Sequence, residues 1–135
     1  MAVQLYEILN FVRSWSEDDA YNRFGLLSGR EWLISELRDN QKRRAIVATA
    51  GKRIVGLLDH IECEGAVHIG VFVDSKFRRL HVATGLVCEL LRAKKPERPV
   101  TAECRRSNAA AIGLLFGCGF EPVTVHSDEV VWHHQ

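Results

Sequence analysis

The sequence predicts an α/β (α+β) domain built on a mixed, mostly antiparallel sheet with helices on both faces. Three observations predict it. Residues 45–73 hold three short β-branched runs separated by the turn pairs Gly51-Lys52 and Glu64-Gly65, the pattern of an antiparallel meander. Residues 82–116 then alternate helix, strand and helix periods, which brings two strands side by side in parallel through a helical crossover. The first 43 residues carry helical spacing instead. At 135 residues the chain has room for one core, so a single domain over 1–135 is expected.

Taken in order, Leu5, Ile8, Leu9, Val12 and Trp15 form one apolar helical stripe. A short strand at Val3–Leu5 is the competing reading. Ser16, followed by Glu17, Asp18 and Asp19, caps and charges a second helical stretch through Tyr21 to Phe24, which Gly25 ends. Ser28 is expected to cap a third helix over 29–41, with Trp32, Leu33 and Leu37 on one side. Strands follow at 45–50, 53–61 and 66–73, then a helix from Val82 to Ala93 and a strand from Val100 to Cys104. A helix over 108–116 stops at Gly117 and Gly119. Two closing strands, 122–126 and 129–133, turn at Ser127-Asp128. Helical residues 1–43 thus lead into the sheet-forming stretch 44–122.

Composition narrows function. Hydrophobic residues make up 47% and charged residues 26%, with net charge +1 and pI about 7.8. A protein held to nucleic acid by backbone charge is more basic, so nucleic acid is disfavoured, while the local clusters Lys42–Arg44 and Arg78–Arg79 suit a small anion. Cys63, Cys88, Cys104 and Cys118 form no C-x-x-C pair and the six histidines add no metal spacing. Reduced thiols, no metal and a cytoplasmic location are expected. Residues 1–15 include Gln4, Glu7, Asn10 and Arg13, so they do not read as a signal peptide. No apolar run approaches a membrane span.

Two segments carry chemistry together: VFVDSKFRRLHVATGL, residues 71–86, and NAAAIGLLFGCGFE, residues 108–121. The first runs from a strand through a basic turn into a helix. A helix N-terminus presents unpaired N–H groups and partial positive charge, so it binds phosphate. Arg78 and Arg79 add charge, and the small Ala83 and Thr84 allow close approach. Taken alone, the arginines read equally as a solvated turn and Gly119-Phe120 as a helix stop with a core aromatic.

Jointly, their order and spacing resemble the GCN5-related N-acetyltransferase (GNAT) family over roughly residues 44–122. In that family a strand ends in a turn of the form Gln/Arg-x-x-Gly-x-Gly/Ala, then come a strand, an Asn, a helix and a Gly-Phe. The resemblance implies an acyl-CoA N-acyltransferase fold and transfer of acetyl from acetyl-CoA to a primary amine of a small molecule or protein, without a covalent enzyme intermediate. It implies that the backbone of Phe72 and Val73 holds the pantetheine arm and that amides near Val73 polarise the thioester. Amides from Arg78 through His81, Val82 and Ala83 to Thr84 would hold the pyrophosphate, and Asn108 would line the cleft.

Two positions depart from the pattern. His81 stands where the turn has its first glycine, a position favouring left-handed backbone. Leu115 stands where many members carry a tyrosine that protonates the leaving thiolate, leaving as acid a water, another side chain such as Cys118 or Ser107, or nothing. Catalytic base candidates are His68, on the strand before the turn, and Glu103, on the next strand, with Glu62 and Glu64 as further carboxylates; a structural role for His68 is the competing reading. Asp59-His60 is no catalytic pair, because neighbours in a strand point to opposite faces. The alternative function is a catalytically weak acetyl-CoA-binding regulatory module acting through a protein partner, met by Trp32 or the Val130-Val131-Trp132 segment. The reading leaves room for a homodimer.

Overall fold

A computed structural model describes residues 3–22, 29–78 and 81–135, without the side chains of 20–22. Phe24, Gly25, Ser28, Arg79 and Leu80 therefore lie outside the described residues. The elements are α1 (Leu5–Arg13), α2 (Glu17–Asn22), α3 (Arg30–Asp39), β1 (Arg44–Ala50), β2 (Arg53–Cys63) and β3 (Ala66–Val73), then α4 (Val82–Ala93), β4 (Val100–Arg105), α5 (Ala109–Gly117), β5 (Glu121–His126) and β6 (Glu129–His134). The expected meander and the alternating half are both present.

Residues 3–4 precede a helix, not a strand. Ser16 caps α2 reciprocally: Asp19 N donates to Ser16 Oγ at 3.0 Å and Ser16 N to Asp19 Oδ2 at 3.3 Å. The third helix ends two residues earlier than expected, at Asp39.

The six strands run in the order β1-β2-β3-β4-β6-β5. Only β3 and β4 pair in parallel; the other neighbours are antiparallel. Alternation divides the side chains between two cores. Val67, Ile69, Val71 and Val73 of β3 pack with Leu86, Val87 and Leu90 of α4, with Ala111 and Leu115 of α5, and with Phe120. Leu57 and Phe72 face the other way, against Val12, Trp15 and Leu33 of the N-terminal helices. Trp15 lies on Phe72 with ring centroids 4.3 Å apart.

The N-terminal helices are pinned to the sheet by charge. Arg43, buried, donates to Asp59 at 3.0 Å and to Glu36 of α3 at 2.9 Å. Asp59 thus faces Arg43 while His60 turns to the α4 side, so the two are not partners. Val130 and Trp132 are core residues, which corrects the expectation that the closing segment offers a partner surface. All four cysteines are free. Among the described residues no helix is long and apolar enough to cross a membrane, and none of the His, Cys, Asp and Glu groups is placed to hold a metal.

Candidate functional site

The parallel pair β3–β4 is short. Its register runs Val67↔Val100, His68↔Thr101 and Ile69↔Ala102 and then stops, although β3 continues to Val73 and β4 to Arg105. Beyond Ile69 and Ala102 the pairing ends, and among the described residues no strand borders that edge of β3. Val67 N donates to the Pro99 carbonyl at 2.9 Å, on the β4 side, while Asp74 N donates to the Val55 carbonyl at 2.8 Å, on the β2 side. Polar groups alternate along a strand, so Val71 and Val73 present theirs to the opening and Phe72 presents its own to β2. Val71 was missed by sequence reasoning, because the direction of a backbone amide depends on pairing, not on residue type.

A cavity of about 530 Å³ occupies this opening. Phe72, Val73, Arg78, His81, Val82, Ala83, Thr84 and Asn108, all candidates from the sequence, line it together. Val71, Phe77, Asp19, Ala110, Ala111 and Leu114 complete the wall. Arg79 lies outside the described residues. The wall is mostly apolar, and Asp19, Arg78, His81, Thr84 and Asn108 contribute its polar side chains.

The turn reaches α4 through a strained residue. His81 adopts φ 61°, ψ 20° as N-cap of α4, a left-handed conformation, and no side chain caps the helix. The first intrahelical bond is Gly85 N to the His81 carbonyl at 3.0 Å, so the amides of Val82, Ala83 and Thr84 precede the ladder and point out of the helix end. The left-handed turn expected of a glycine is thus kept by a histidine. Close packing fixes α4 in place: a β-carbon on Gly56 would lie 3.1 Å from Val82 Cγ1 and 3.3 Å from Leu86 Cδ1.

Arg78 closes the mouth of the cavity. Its Nε donates to the Val73 carbonyl at 3.0 Å, its NH2 reaches Asp19 at 3.5 Å, and its guanidinium lies over the Phe72 ring at 5.6 Å. Asn108 caps α5, accepting from Ala111 N at 3.1 Å. The tyrosine position is filled by the fully buried Leu115 and the cavity-facing position by Leu114; neither carries a proton to give. Ser107 and Cys118 do not line the cavity, and burial, then the nearby Cys88, pushes the Cys118 thiol up.

The two base candidates take different places along β3 and β4, and neither is among the residues that line the cavity. His68 sits within the closed part of the β3–β4 pair, opposite Thr101. Glu103 is the first β4 residue beyond the last pair. Because Ala102 and Cys104 belong to the α4/α5-side core, Glu103 faces the other side, half-buried and paired with Val131 of β6. Burial holds its carboxyl above the usual carboxylate range, the charge and hydrogen bond of Glu129 add to this, and His126 opposes it. Glu62, by contrast, is taken up by Arg98 at 2.6 Å, and Glu64 is exposed in the β2–β3 turn at φ 53°.

The acetyltransferase (GNAT) family model matches residues 3–120. No curated protein is similar enough in sequence to match the chain. Solved structures do share the fold. The GNAT domain of S. lividans PAT is 13% identical at TM-score 0.80, over 96% of this chain and 84% of that one. Smu.2055 from Streptococcus mutans UA159 is 18% identical at TM-score 0.75, over 97% and 92%. The PaiA N-acetyltransferase from Thermoplasma acidophilum, in complex with coenzyme A, is 12% identical at TM-score 0.72, over 97% and 92%. With the match spanning all but the ends, the chain belongs to the acetyltransferase (GNAT) family.

Proposed function

We propose that this protein is an N-acetyltransferase that takes acetyl from acetyl-CoA and delivers it directly to a primary amine of a small molecule or protein. The observation that carries the reading is the separation of β3 from β4 into a largely apolar cavity that ends on the free amides of α4. The residues present fit acetyl-CoA: an apolar slot with an unpaired strand edge suits the pantetheine arm, and a helix N-terminus suits the pyrophosphate. Acetyl-CoA supplies the activated acetyl thioester; the protein's part is to hold, orient and move protons.

The backbone groups of Val71 and the amide of Val73, whose carbonyl is held by Arg78, receive the arm as an added strand, and the Val71 amide, first beyond the closed pair, polarises the thioester carbonyl. Val82, Ala83 and Thr84 amides hold the pyrophosphate. Arg78, already engaged by Val73 and Asp19, orders the mouth more than it grips phosphate. Glu103 accepts a proton from the acceptor ammonium. A raised carboxyl is the better base near neutral pH, since proton transfer is most effective when the pKa approaches the working pH. His68, inside the closed pair, is a neighbour of this site and not its base.

Leu114 and Leu115 favour a second reading, an acetyl-CoA-binding regulatory module. General acid catalysis contributes about 10²–10⁴-fold, so its loss slows transfer without abolishing it. The test is CoA thiol release with a panel of primary amines, comparing wild type with Glu103→Gln and His68→Ala. Amine-dependent release that falls at least tenfold in Glu103→Gln and persists in His68→Ala supports the proposal. Acetyl-CoA binding with no release on any amine supports the regulator.

A further inference from the structure

The opposite end of α4 carries a second cavity, of about 680 Å³, with different chemistry. Arg44 enters it from the start of β1 and Lys42 from the turn before that strand, Lys94 and Lys95 from just past the end of α4, and Arg98 from the loop that follows. His60 lies on its floor, paired across the strands with Arg44. Five cations against the single carboxylate of Glu62 leave +4 in this basin, within a chain of net charge +1. Glu62 pairs with Arg98 at 2.6 Å. Among the described residues no carboxylate pairs with Lys42, Arg44, Lys94 or Lys95.

Fold stability explains only part of this. The partial negative charge of a helix C-terminus favours Lys94 and Lys95. It does not account for Lys42 and Arg44, which come from another element. Arg43 between them is spent on Asp59 and Glu36 on the other face of the sheet. Unpaired cations brought together in a concave site repel one another until an anion enters.

We propose that this basin binds a small multivalent anion, a phosphate- or carboxylate-bearing molecule of two or more charges, through Lys42, Arg44, Lys94 and Lys95. Its volume falls in the range of small-molecule pockets, about 300–1,000 Å³. Nucleic acid is a poorer fit, since the pI of about 7.8 is below the range of domains that bind it by charge. The basin is separate from the cofactor turn: α4 has 12 residues and rises about 1.5 Å each, which sets its ends about 18 Å apart.

His60 reports on occupancy. His60 pairs with Arg44 of β1 across the strands and lines the cavity together with Lys42, Glu62, Lys94, Lys95 and Arg98. Burial lowers its pKa; Arg44 and Arg43 lower it further and Asp59 opposes them. An anion beside Arg44 reverses that influence and raises the titration midpoint of His60.

The test uses the full chain with inorganic phosphate and citrate as probes, followed by NMR, with sodium chloride at matched ionic strength as control. A rise in the His60 midpoint of at least half a pH unit is expected, with shifts in the Arg44 and Lys94 amides. Lys42→Gln/Arg44→Gln, checked for native melting, should weaken binding at least tenfold; Lys94→Gln/Lys95→Gln provides an independent arm. A response equal to that of chloride, or shifts confined to the Val82–Thr84 amides, overturns the proposal. Neither outcome touches acetyl-CoA binding, which is read at the other end of α4.

Discussion

His81 holds a left-handed backbone, φ 61°, ψ 20°, at the entrance to the helix that defines the cofactor end of the cavity. For an L-residue this crowds the β-carbon against the following carbonyl, at about 1–2 kcal/mol. His81→Gly removes that penalty but adds freedom to the unfolded chain, a loss of about 0.5–1 kcal/mol. The net expectation is a gain of about 0.5–1 kcal/mol, or about 2–5 °C in Tm for a domain of this size. His81→Ala keeps the β-carbon and should show no gain. The His81 side chain is exposed and caps nothing, so acetyl-CoA affinity in both variants should stay within about 0.5 kcal/mol of wild type, as for other surface changes. Reversible thermal unfolding by circular dichroism and calorimetric titration measure the two quantities. Equal stability of the Ala and Gly variants, or a less stable Gly variant, would refute the strain argument. A tenfold loss of affinity in both would show that the imidazole, and not the backbone, grips the ligand.

Three other outcomes follow from the same geometry. Gly56→Ala pushes a β-carbon to 3.1 Å from Val82 and should cost about 1–3 kcal/mol in urea unfolding, with weaker acetyl-CoA binding because the start of α4 is displaced. Asp59→Ala strands the buried Arg43 with Glu36 as its remaining carboxylate, and should cost about 3 kcal/mol, the lower end for breaking a buried ion pair. Glu129→Gln should lower the midpoint of the acidic limb of kcat/KM, since it removes charge that raises the Glu103 carboxyl and leaves burial in place. The sign follows from linkage: a carboxyl raised in the folded state binds its proton more tightly there, so stability is lost as pH climbs from the unfolded value to the folded one. Glu129→Gln should shrink that loss, visible in Tm across mildly acidic pH.

Much of this was legible in the residues. Val82–Ala93 could be bounded by periodicity alone, because small and apolar residues keep a clean helical phase from the turn to Lys94. The alternation Val67, Ile69, Val71, Val73 against His68 and Phe72 named the two faces of β3 correctly. The cavity lining was legible too, since it follows the order of two motifs. What the sequence could not show is where β3 and β4 part company. That point depends on tertiary register, yet it alone separates Glu103 from His68. The phase of α5 was also hidden: AAAIGLLFG is apolar nearly all round, so only packing reveals that Leu114 faces the cavity and Leu115 the core. Lys42–Arg44 looked like one basic cluster, but pleating sends Arg43 to a buried ion pair and Arg44 to the far basin.

The central claim is that the opening between β3 and β4 delivers acetyl from acetyl-CoA to an amine, with Glu103 taking the proton. Its most direct measurement is a titration of amines against the protein and acetyl-CoA, counting CoA thiol and acetylated amine together by mass spectrometry. Equal amounts of both products, dependent on amine and protein and reduced at least tenfold in Glu103→Gln, are predicted. Tight acetyl-CoA binding with no acetylated product from any amine, or undiminished product in Glu103→Gln, would contradict it.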